Sequence, residues 1–122
     1  MKEYNFVKFD GVYSRGDTKI AVNKSGLIRL SSGFCRTTNV NTFKYVVLFF
    51  DAPNKAIAFK FTNVRENGIL KITKDRAGAT ISAKSFMKSN NINLRSYLGR
   101  YSWKKQTIQN IGEVFIIELG KK

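Results

Sequence analysis

The residue types best suited to a binding function lie together in one short segment, Arg95–Lys105. Cations and aromatic rings alternate along it, the cations being Arg95, Arg100, Lys104 and Lys105 and the rings Tyr97, Tyr101 and Trp103. Proteins hold unpaired nucleic acid by this combination, with cations along the phosphates and flat rings stacked on the bases. The segment therefore predicts a nucleic-acid-binding surface formed by these seven residues.

For two of those rings the same pattern has a second interpretation. Alternation of aromatic and polar residues is also typical of a half-buried β-strand, in which Tyr101 and Trp103 belong to the core and the residues between them face water. The sequence leaves both alternatives open.

A second group of candidate contacts lies just before this segment. Lys74 and Arg76 belong to a short basic loop, and Lys84 lies near the start of the helix predicted after it. Backbone N–H groups and cations in such loops can hold phosphate. The glycine spacing and the Lys-Ser/Thr pair of a P-loop are absent from this loop, so we add these three cations to the predicted surface as general phosphate contacts.

The distribution of charge supports a polyanionic partner. The chain of 122 residues has 22 Lys and Arg against 8 Asp and Glu, a net charge of +14. Between Lys55 and Lys105 there are twelve cations and only two acids, Glu66 and Asp75. Nucleic acid is the commonest polyanion inside cells, and its phosphates favour Lys and Arg through counterion release. We expect the partner to be single-stranded DNA or RNA.

Composition argues against most catalysis. The chain has no histidine, which excludes Ser-His-Asp and Cys-His mechanisms and His-ligated metals, and Cys35 is its one cysteine. We predict a protein that is not an enzyme and needs no cofactor, with Cys35 as a small buried hydrophobe. A metal-dependent nuclease is the weaker alternative, since Asp10 and the triplet Asp17-Thr18-Lys19 loosely match such a site.

A binding protein of another class is the second alternative. Strands rich in phenylalanine and β-branched residues must protect their edges, and pairing with a partner or a second copy is one way. The chain would then be a protein–protein adaptor or a dimeric subunit of a nucleoprotein assembly. No leader pattern and no apolar run near the roughly 20 residues of a membrane span is present, so we expect a cytoplasmic protein without a membrane partner.

The elements that position these residues are predicted to be mostly strands in one domain, 1–122. We expect a β-rich α+β fold: an antiparallel meander or curved sheet of about six to eight strands, with one short helix near 83–90. Ser82 is the predicted helix cap. Clear strand patterns lie at Phe43–Phe50, Ala56–Thr62, Ile69–Lys74, Gly99–Gln106 and Glu113–Leu119, and weaker strand patterns lie at Tyr4–Phe9, Lys19–Val22, Leu27–Ser31 and Ala79–Ser82.

Overall fold

A computed structural model describes residues 3, 4, 6 and 18–120. This part of the chain forms one nine-stranded antiparallel sheet with two short α-helices and two single 3₁₀ turns, at Val40–Thr42 and Leu94–Ser96. The helices are α1 (Ser32–Thr38) and α2 (Lys84–Ser89). The strands are β1 (Ile20–Val22), β2 (Leu27–Ser31), β3 (Tyr45–Asp51), β4 (Ala56–Thr62), β5 (Ile69–Asp75), β6 (Gly78–Ser82), β7 (Gly99–Tyr101), β8 (Lys104–Ile108) and β9 (Gly112–Glu118).

The sheet is curled, and its two edge strands approach each other at one end. Its strand order is β7-β1-β2-β6-β5-β3-β4-β9-β8, so β7 and β8 are the outermost strands. Only Ser102 and Trp103 separate these two strands along the chain. Consecutive Cα atoms are about 3.8 Å apart, so the ends of β7 and β8 lie within about 11 Å of each other. The predicted β-rich α+β class and curved antiparallel sheet are confirmed, with nine strands instead of six to eight.

Local hairpins follow the sequence prediction closely. β1 pairs with β2 and β3 pairs with β4, both antiparallel. β3, apolar on both faces, is an inner strand between β5 and β4, as its pattern predicts. The predicted strand at 4–9 lies outside the described residues except for Tyr4 and Phe6.

A simple meander would have paired β5 with β4, and here the structure differs. β5 pairs with the first half of β3, Val46 lying opposite Leu70. Asn63 directs the link between β4 and β5 past the start of β3: its side-chain oxygen accepts from the Lys44 N–H at 2.9 Å, and its Nδ2 donates to the Thr42 carbonyl at 3.0 Å. The chain thereby reaches the far side of β3.

The two helices differ in how far the sequence predicts them. The helix expected near 83–90 is α2, but Ser82 does not cap it. Ser82 ends β6, and the residue at the cap position is Ala83, which makes no side-chain hydrogen bond. α1 was not predicted, because glycine and three threonine or serine residues give its seven residues a weak helical propensity. Ser31 starts it by accepting the Phe34 N–H at 3.1 Å.

Phe34 shows what α1 contributes to the fold. Its ring is fully buried and lies 5.5 Å from that of Phe115 and 5.2 Å from that of Trp103, centroid to centroid. α1 therefore packs an aromatic side chain into the interior of the curled sheet. Cys35, the next residue, is buried as expected, and this burial raises the pKa of its thiol. No helix in the described ranges is long and apolar enough to cross a membrane.

Candidate nucleic-acid interface

One half of the curled sheet has an outward face made of polar and cationic side chains. Burial alternates along its strands, so Ile20 and Val22 face the interior while Ala21 between them faces outward. Strand pairing then aligns one outward residue from each of five adjacent strands. The row runs in the order Arg100, Ala21, Arg29, Thr80, Thr73. We call this line of residues the outward row.

Arg100 and Arg29 are neighbours in this row although they are far apart in the chain. Both lie opposite Ala21, one on each side. Adjacent strands are about 4.8 Å apart, so the backbones of the two arginines are separated by roughly 10 Å. The methyl group of Ala21 leaves the space between them open. The Arg29 guanidinium is directed to the other side, toward Thr80 on β6 and Asp75 at the end of β5.

Charge is divided unequally between the two halves of the sheet. We define the basic half-sheet as residues 18–31 and 69–101, which contain β7, β1, β2, β6, β5, α2 and the second 3₁₀ turn. It carries ten cations and one acid, Asp75. The other part of the sheet, residues 32–68 and 102–120, carries seven cations and four acids. The cations of the basic half-sheet are Lys19, Lys24, Arg29, Lys71, Lys74, Arg76, Lys84, Lys88, Arg95 and Arg100.

The single acid of the basic half-sheet is paired with a residue of the outward row. The Arg29 guanidinium donates to both carboxylate oxygens of Asp75, each at 2.8 Å, and donates a further bond of 2.8 Å to the Thr80 hydroxyl. The bonds from Arg29, joined by one from the Ala77 N–H, lower the pKa of the Asp75 carboxyl to about 2. Asp75 is therefore ionised at neutral pH, and its charge is offset locally.

A shallow groove opens at one end of the outward row. It has a volume of about 460 Å³ and lies between the β1–β2 turn and the start of β7, with Lys24 and Arg100 among its walls. The start of α2 closes against the same turn, because the Ala83 N–H donates to the Gly26 carbonyl at 2.9 Å. A side chain at Gly26 would meet Lys84 Cα at 2.9 Å. Lys24 and Lys84 therefore lie at the same end of the basic half-sheet.

Seven of the ten sequence-predicted site residues belong to the basic half-sheet, and all of them except Tyr101 are at least partly exposed. Lys84, Arg95, Tyr97 and Arg100 lie on or between α2 and β7. Lys74 and Arg76 lie at the end of β5 and in the turn that follows it, where the Lys74 ammonium donates to the Asn41 carbonyl at 2.6 Å. Lys84, Arg95, Arg76 and Arg100 are exposed and Tyr97 is half-buried. These six are thus distributed over one half of the sheet.

Tyr101 is placed in the core. It is 0% exposed, and its hydroxyl donates to the Tyr97 carbonyl at 2.6 Å and accepts from the Gly120 N–H at 3.4 Å. Burial raises the pKa of this phenol. Of the two alternatives for Tyr101, the one that places its ring in the core is correct, because its neighbour Arg100 occupies the outward position on the short strand β7. A buried ring cannot stack on a base, so we leave Tyr101 out of the proposed contacts.

Trp103 lies at the junction between the two edge strands and is half-buried. Its indole N–H donates to the Thr18 carbonyl at 2.7 Å, and its ring packs edge-to-face on Phe34 and on Phe115, at 5.2 and 5.3 Å between centroids. These contacts hold the ring in the aromatic cluster beneath α1. The Trp103 ring therefore packs toward the interior of the sheet, and it does not lie on the face that carries Arg100.

The two lysines of β8 are separated from the basic half-sheet and have acidic partners. Lys104 lies 3.6 Å from a Glu118 oxygen and Lys105 lies 3.3 Å from a Glu113 oxygen, nitrogen to oxygen. Lys105 and Glu113 also line a cavity of about 580 Å³ beside Trp103 and the end of α1. Since each lysine is offset by a carboxylate on β9, this region attracts phosphate less strongly than the basic half-sheet does.

The sequence interpretation missed Lys24, Arg29 and Lys71 as members of the same surface. Arg29 and Lys71 alternate with buried neighbours along their strands, and Lys24 lies in a turn. Such positions indicate that a side chain is exposed, but they do not show which other side chains lie near it. Besides the local hairpins, the pairing of β1 with β7 and of β2 with β6 places them on the same half of the sheet as Arg100. Those pairings join distant parts of the chain, and no local pattern reveals them.

The nuclease alternative depends on residues of which the structure says little. Asp10 and Asp17 lie outside the described residues. Within 18–120 and at positions 3, 4 and 6, no three Cys, Asp or Glu side chains lie close enough together to hold a metal ion.

Comparisons with known proteins identified no relative of this chain. No protein-family model matches the chain, and neither a curated protein nor a solved structure is significantly similar to it.

Proposed function

We propose that this protein binds single-stranded DNA or RNA, without catalysis, through the outward face of its basic half-sheet. The observation that carries the proposal is the unequal distribution of charge: ten cations and one ion-paired acid in the basic half-sheet, against seven cations and four acids in residues 32–68 and 102–120. Repulsion among ten cations opposes folding, so this excess of positive charge needs an explanation. Binding of a polyanion supplies one, because the cations neutralise its phosphates and release counterions.

The surface suits a flexible strand better than a duplex. Proteins that read duplex DNA insert an α-helix or a two-stranded ribbon into the major groove. The helices of the described residues have seven and six residues, and each keeps a buried residue against the sheet. The outward row contains Ala21, Thr73 and Thr80 between and beside its arginines, and such short side chains let a sugar–phosphate backbone lie close to the sheet.

The proposal is tested by removing the same charge from each half of the sheet. The test variant is Lys24→Gln/Lys71→Gln/Arg100→Gln, and the control is Lys44→Gln/Lys60→Gln/Arg65→Gln, which leaves the net charge equal. Binding to a labelled single strand and to a duplex is measured between about 50 and 200 mM salt. We expect the test variant to weaken strand binding and to reduce the salt-dependence slope by about 2, since each lost contact with a single strand removes about 0.7.

Four results would contradict the proposal. Absence of binding by the unaltered protein would exclude it, and so would binding that is insensitive to salt. An equal loss in both triple variants would show that only the net charge matters and that the basic half-sheet is not the site. Tighter binding to the duplex than to the single strand would overturn the preference for unpaired nucleic acid.

A second candidate function is a dimeric subunit of a nucleoprotein assembly, and one observation favours it. One aligned set of outward positions on β3, β4 and β9 is apolar: Phe49, Ala58 and Ile116 lie side by side across the three strands, and all are half-buried. Sedimentation at rising concentration tests this candidate. A dimer that dissociates on the change Phe49→Lys supports it, and a monomer throughout excludes the homodimer.

A further inference from the structure

A further concave site lies at one end of the sheet. It has a volume of about 380 Å³ and is formed where the β3–β4 turn, the segment 90–97 after α2 and the end of β9 come together. We call it the end pocket. Ligand pockets commonly have volumes of about 300–1,000 Å³ with an apolar lining and a few polar groups. Phe50, Ile92 and Leu119 supply its apolar surface, and Lys55, Asn91 and Asn93 supply polar groups.

Lys55 adopts a backbone conformation that needs an explanation. Its φ is 50°, in the left-handed region, at the last position of the β3–β4 turn. Glycine or asparagine is favoured at this position of a hairpin, because a larger side chain is strained there. Strain retained at one residue points to a role for its side chain. Here the ammonium group lies over the ring of Tyr97, 5.9 Å from its centroid.

The backbone of Lys55 is also fixed in place. Its carbonyl accepts the Leu119 N–H at 2.8 Å, which ties the turn to the end of β9. A cation held in this way, over a ring and at the wall of an open pocket, is positioned to meet an anionic group of a ligand.

Two asparagines of the end pocket have side-chain hydrogen-bonding groups that are not used within the described part of the chain. Asn90 donates its amide to the Phe86 carbonyl at 2.9 Å, and the Asn93 oxygen accepts the Arg95 N–H at 3.1 Å. The NH₂ group of Asn93 and the whole side-chain amide of Asn91 make no hydrogen bond within the described part of the chain. Amides offer a donor and an acceptor side by side, the pattern that recognises the polar edge of a base.

We propose that the end pocket binds one nucleotide, with the base on the apolar surface, its polar edge toward Asn91 and Asn93, and its phosphate at Lys55. The proposal rests on the nucleic-acid binding proposed above, because Tyr97 and the asparagines belong to the basic half-sheet and a strand bound there can place one unpaired base in the pocket. A free nucleotide has the same chemistry, so the experiment distinguishes the two sources.

Two substitutions remove the polar groups while preserving the backbone. Lys55 and Asn91 both have positive φ, 50° and 55°, so Lys55→Gly and Asn91→Gly delete a side chain where glycine is the residue best suited to the conformation. Asn110→Gly is the matched control, because Asn110 has a φ of 71° in the β8–β9 turn and does not line the pocket.

The first arm of the test uses small probes and backbone amide NMR. Adenosine monophosphate is expected to shift the amides of residues 52–55, 90–97 and 119. Loss of the charged contact in Lys55→Gly is expected to weaken its binding by about tenfold or more, and Asn110→Gly is expected to bind as the unaltered protein does. Equal shifts from ribose 5-phosphate or inorganic phosphate would overturn the inference, because they would show an anion site that does not recognise a base. Absence of any amide shift with adenosine monophosphate would also contradict the inference, because it would show that the end pocket does not bind a free nucleotide.

The second arm compares an oligonucleotide with an abasic strand of equal length. Tighter binding of the oligonucleotide, lost in Asn91→Gly and kept in Asn110→Gly, supports a base in the end pocket. Equal, salt-dependent binding of both strands overturns the pocket's role in the bound strand while the proposed function stands. Binding of the mononucleotide without binding of either strand leaves the pocket as a free-nucleotide site and refutes the proposed function.

Discussion

The Arg29 guanidinium and the Asp75 carboxylate form a bidentate ion pair that links β2 to the end of β5. Both nitrogen–oxygen distances are 2.8 Å, and Asp75 is the one acid of the basic half-sheet. The pair orients Arg29 in the outward row and reduces the charge that this arginine offers to a phosphate. Asp75 therefore has two separable effects, one on stability and one on binding.

The effect on stability should depend on pH. The pKa of Asp75 is lowered from 3.8 to about 2 by folding, so between these values the unfolded chain binds a proton more readily than the folded one. The stabilisation by the ion pair is complete above the unfolded pKa and is lost as pH falls through the folded value. Urea unfolding of the protein and of Asp75→Asn at several pH values checks this: the difference between them should shrink from about pH 6 to pH 2. A constant difference would contradict it.

The effect on binding should have the opposite direction. Asp75→Asn releases Arg29 and removes a negative charge, so binding to a single strand should tighten and its salt slope should steepen by up to about 0.7. Glu66→Gln makes the same charge change on the link between β4 and β5, outside the basic half-sheet. Titrations at several salt concentrations should show the larger effect for Asp75→Asn. An equal effect of both variants would mean that Arg29 is not a contact.

Tyr101 should stabilise the fold through its hydroxyl. This group is buried and donates to the Tyr97 carbonyl at 2.6 Å. Tyr101→Phe leaves that carbonyl without its partner, so we expect a loss of about 1–3 kcal/mol in the free energy of unfolding. Tyr45→Phe is the control, since the Tyr45 hydroxyl makes no hydrogen bond within the described residues, and its effect should stay within about 0.5 kcal/mol. Equal effects in urea denaturation would refute a structural role for this hydroxyl.

Two glycines with positive φ should respond differently to alanine. Gly78, with a φ of 135°, starts β6, and a Cβ there would overlap the Leu30 carbonyl oxygen. At Gly68, with a φ of 85°, a Cβ would have no other atom within 4 Å. Gly68→Ala should therefore cost only the backbone strain, about 1–2 kcal/mol, and Gly78→Ala should cost clearly more, because β2 and β6 must separate. Thermal unfolding of both variants checks the order, and a smaller loss for Gly78→Ala would contradict it.

The sequence predicts those parts of the fold that depend on neighbours in the chain. The alternation in Phe43–Phe50 and Ala56–Thr62 identifies β3 and β4, and the turn at 51–55 predicts that they pair. Pairings such as Ile20 with Tyr101 leave no local trace, because either strand would show the same alternation with any partner. α1 was missed because its stability comes from the burial of Phe34 and not from helical propensity.

The same distinction explains what could be predicted of the candidate site. Composition and the run from Lys55 to Lys105 indicate a basic surface, and exposed Arg76, Lys84, Arg95 and Arg100 belong to it. The position of Arg100 beside Arg29 depends on the placement of β1 between β7 and β2, which is a property of the whole sheet. For Tyr101 the choice between stacking and burial depended on which residue of β7 faces inward, and alternation alone does not decide that.

The two-residue junction at Ser102 and Trp103 has a consequence for the order of folding. The indole of Trp103 bonds to a carbonyl 85 positions earlier, and the segment containing it supplies partners for both β1 and β9. Contacts between such distant residues form slowly, because the loop entropy must be lost before the contact stabilises anything. Until residues 99–108 are in place, β1 and β9 present unpaired backbone groups that other chains can bind. We therefore expect aggregation to compete with folding during this last closure, and substitutions that loosen the junction to lower the yield of refolding more than they lower the stability of the folded protein.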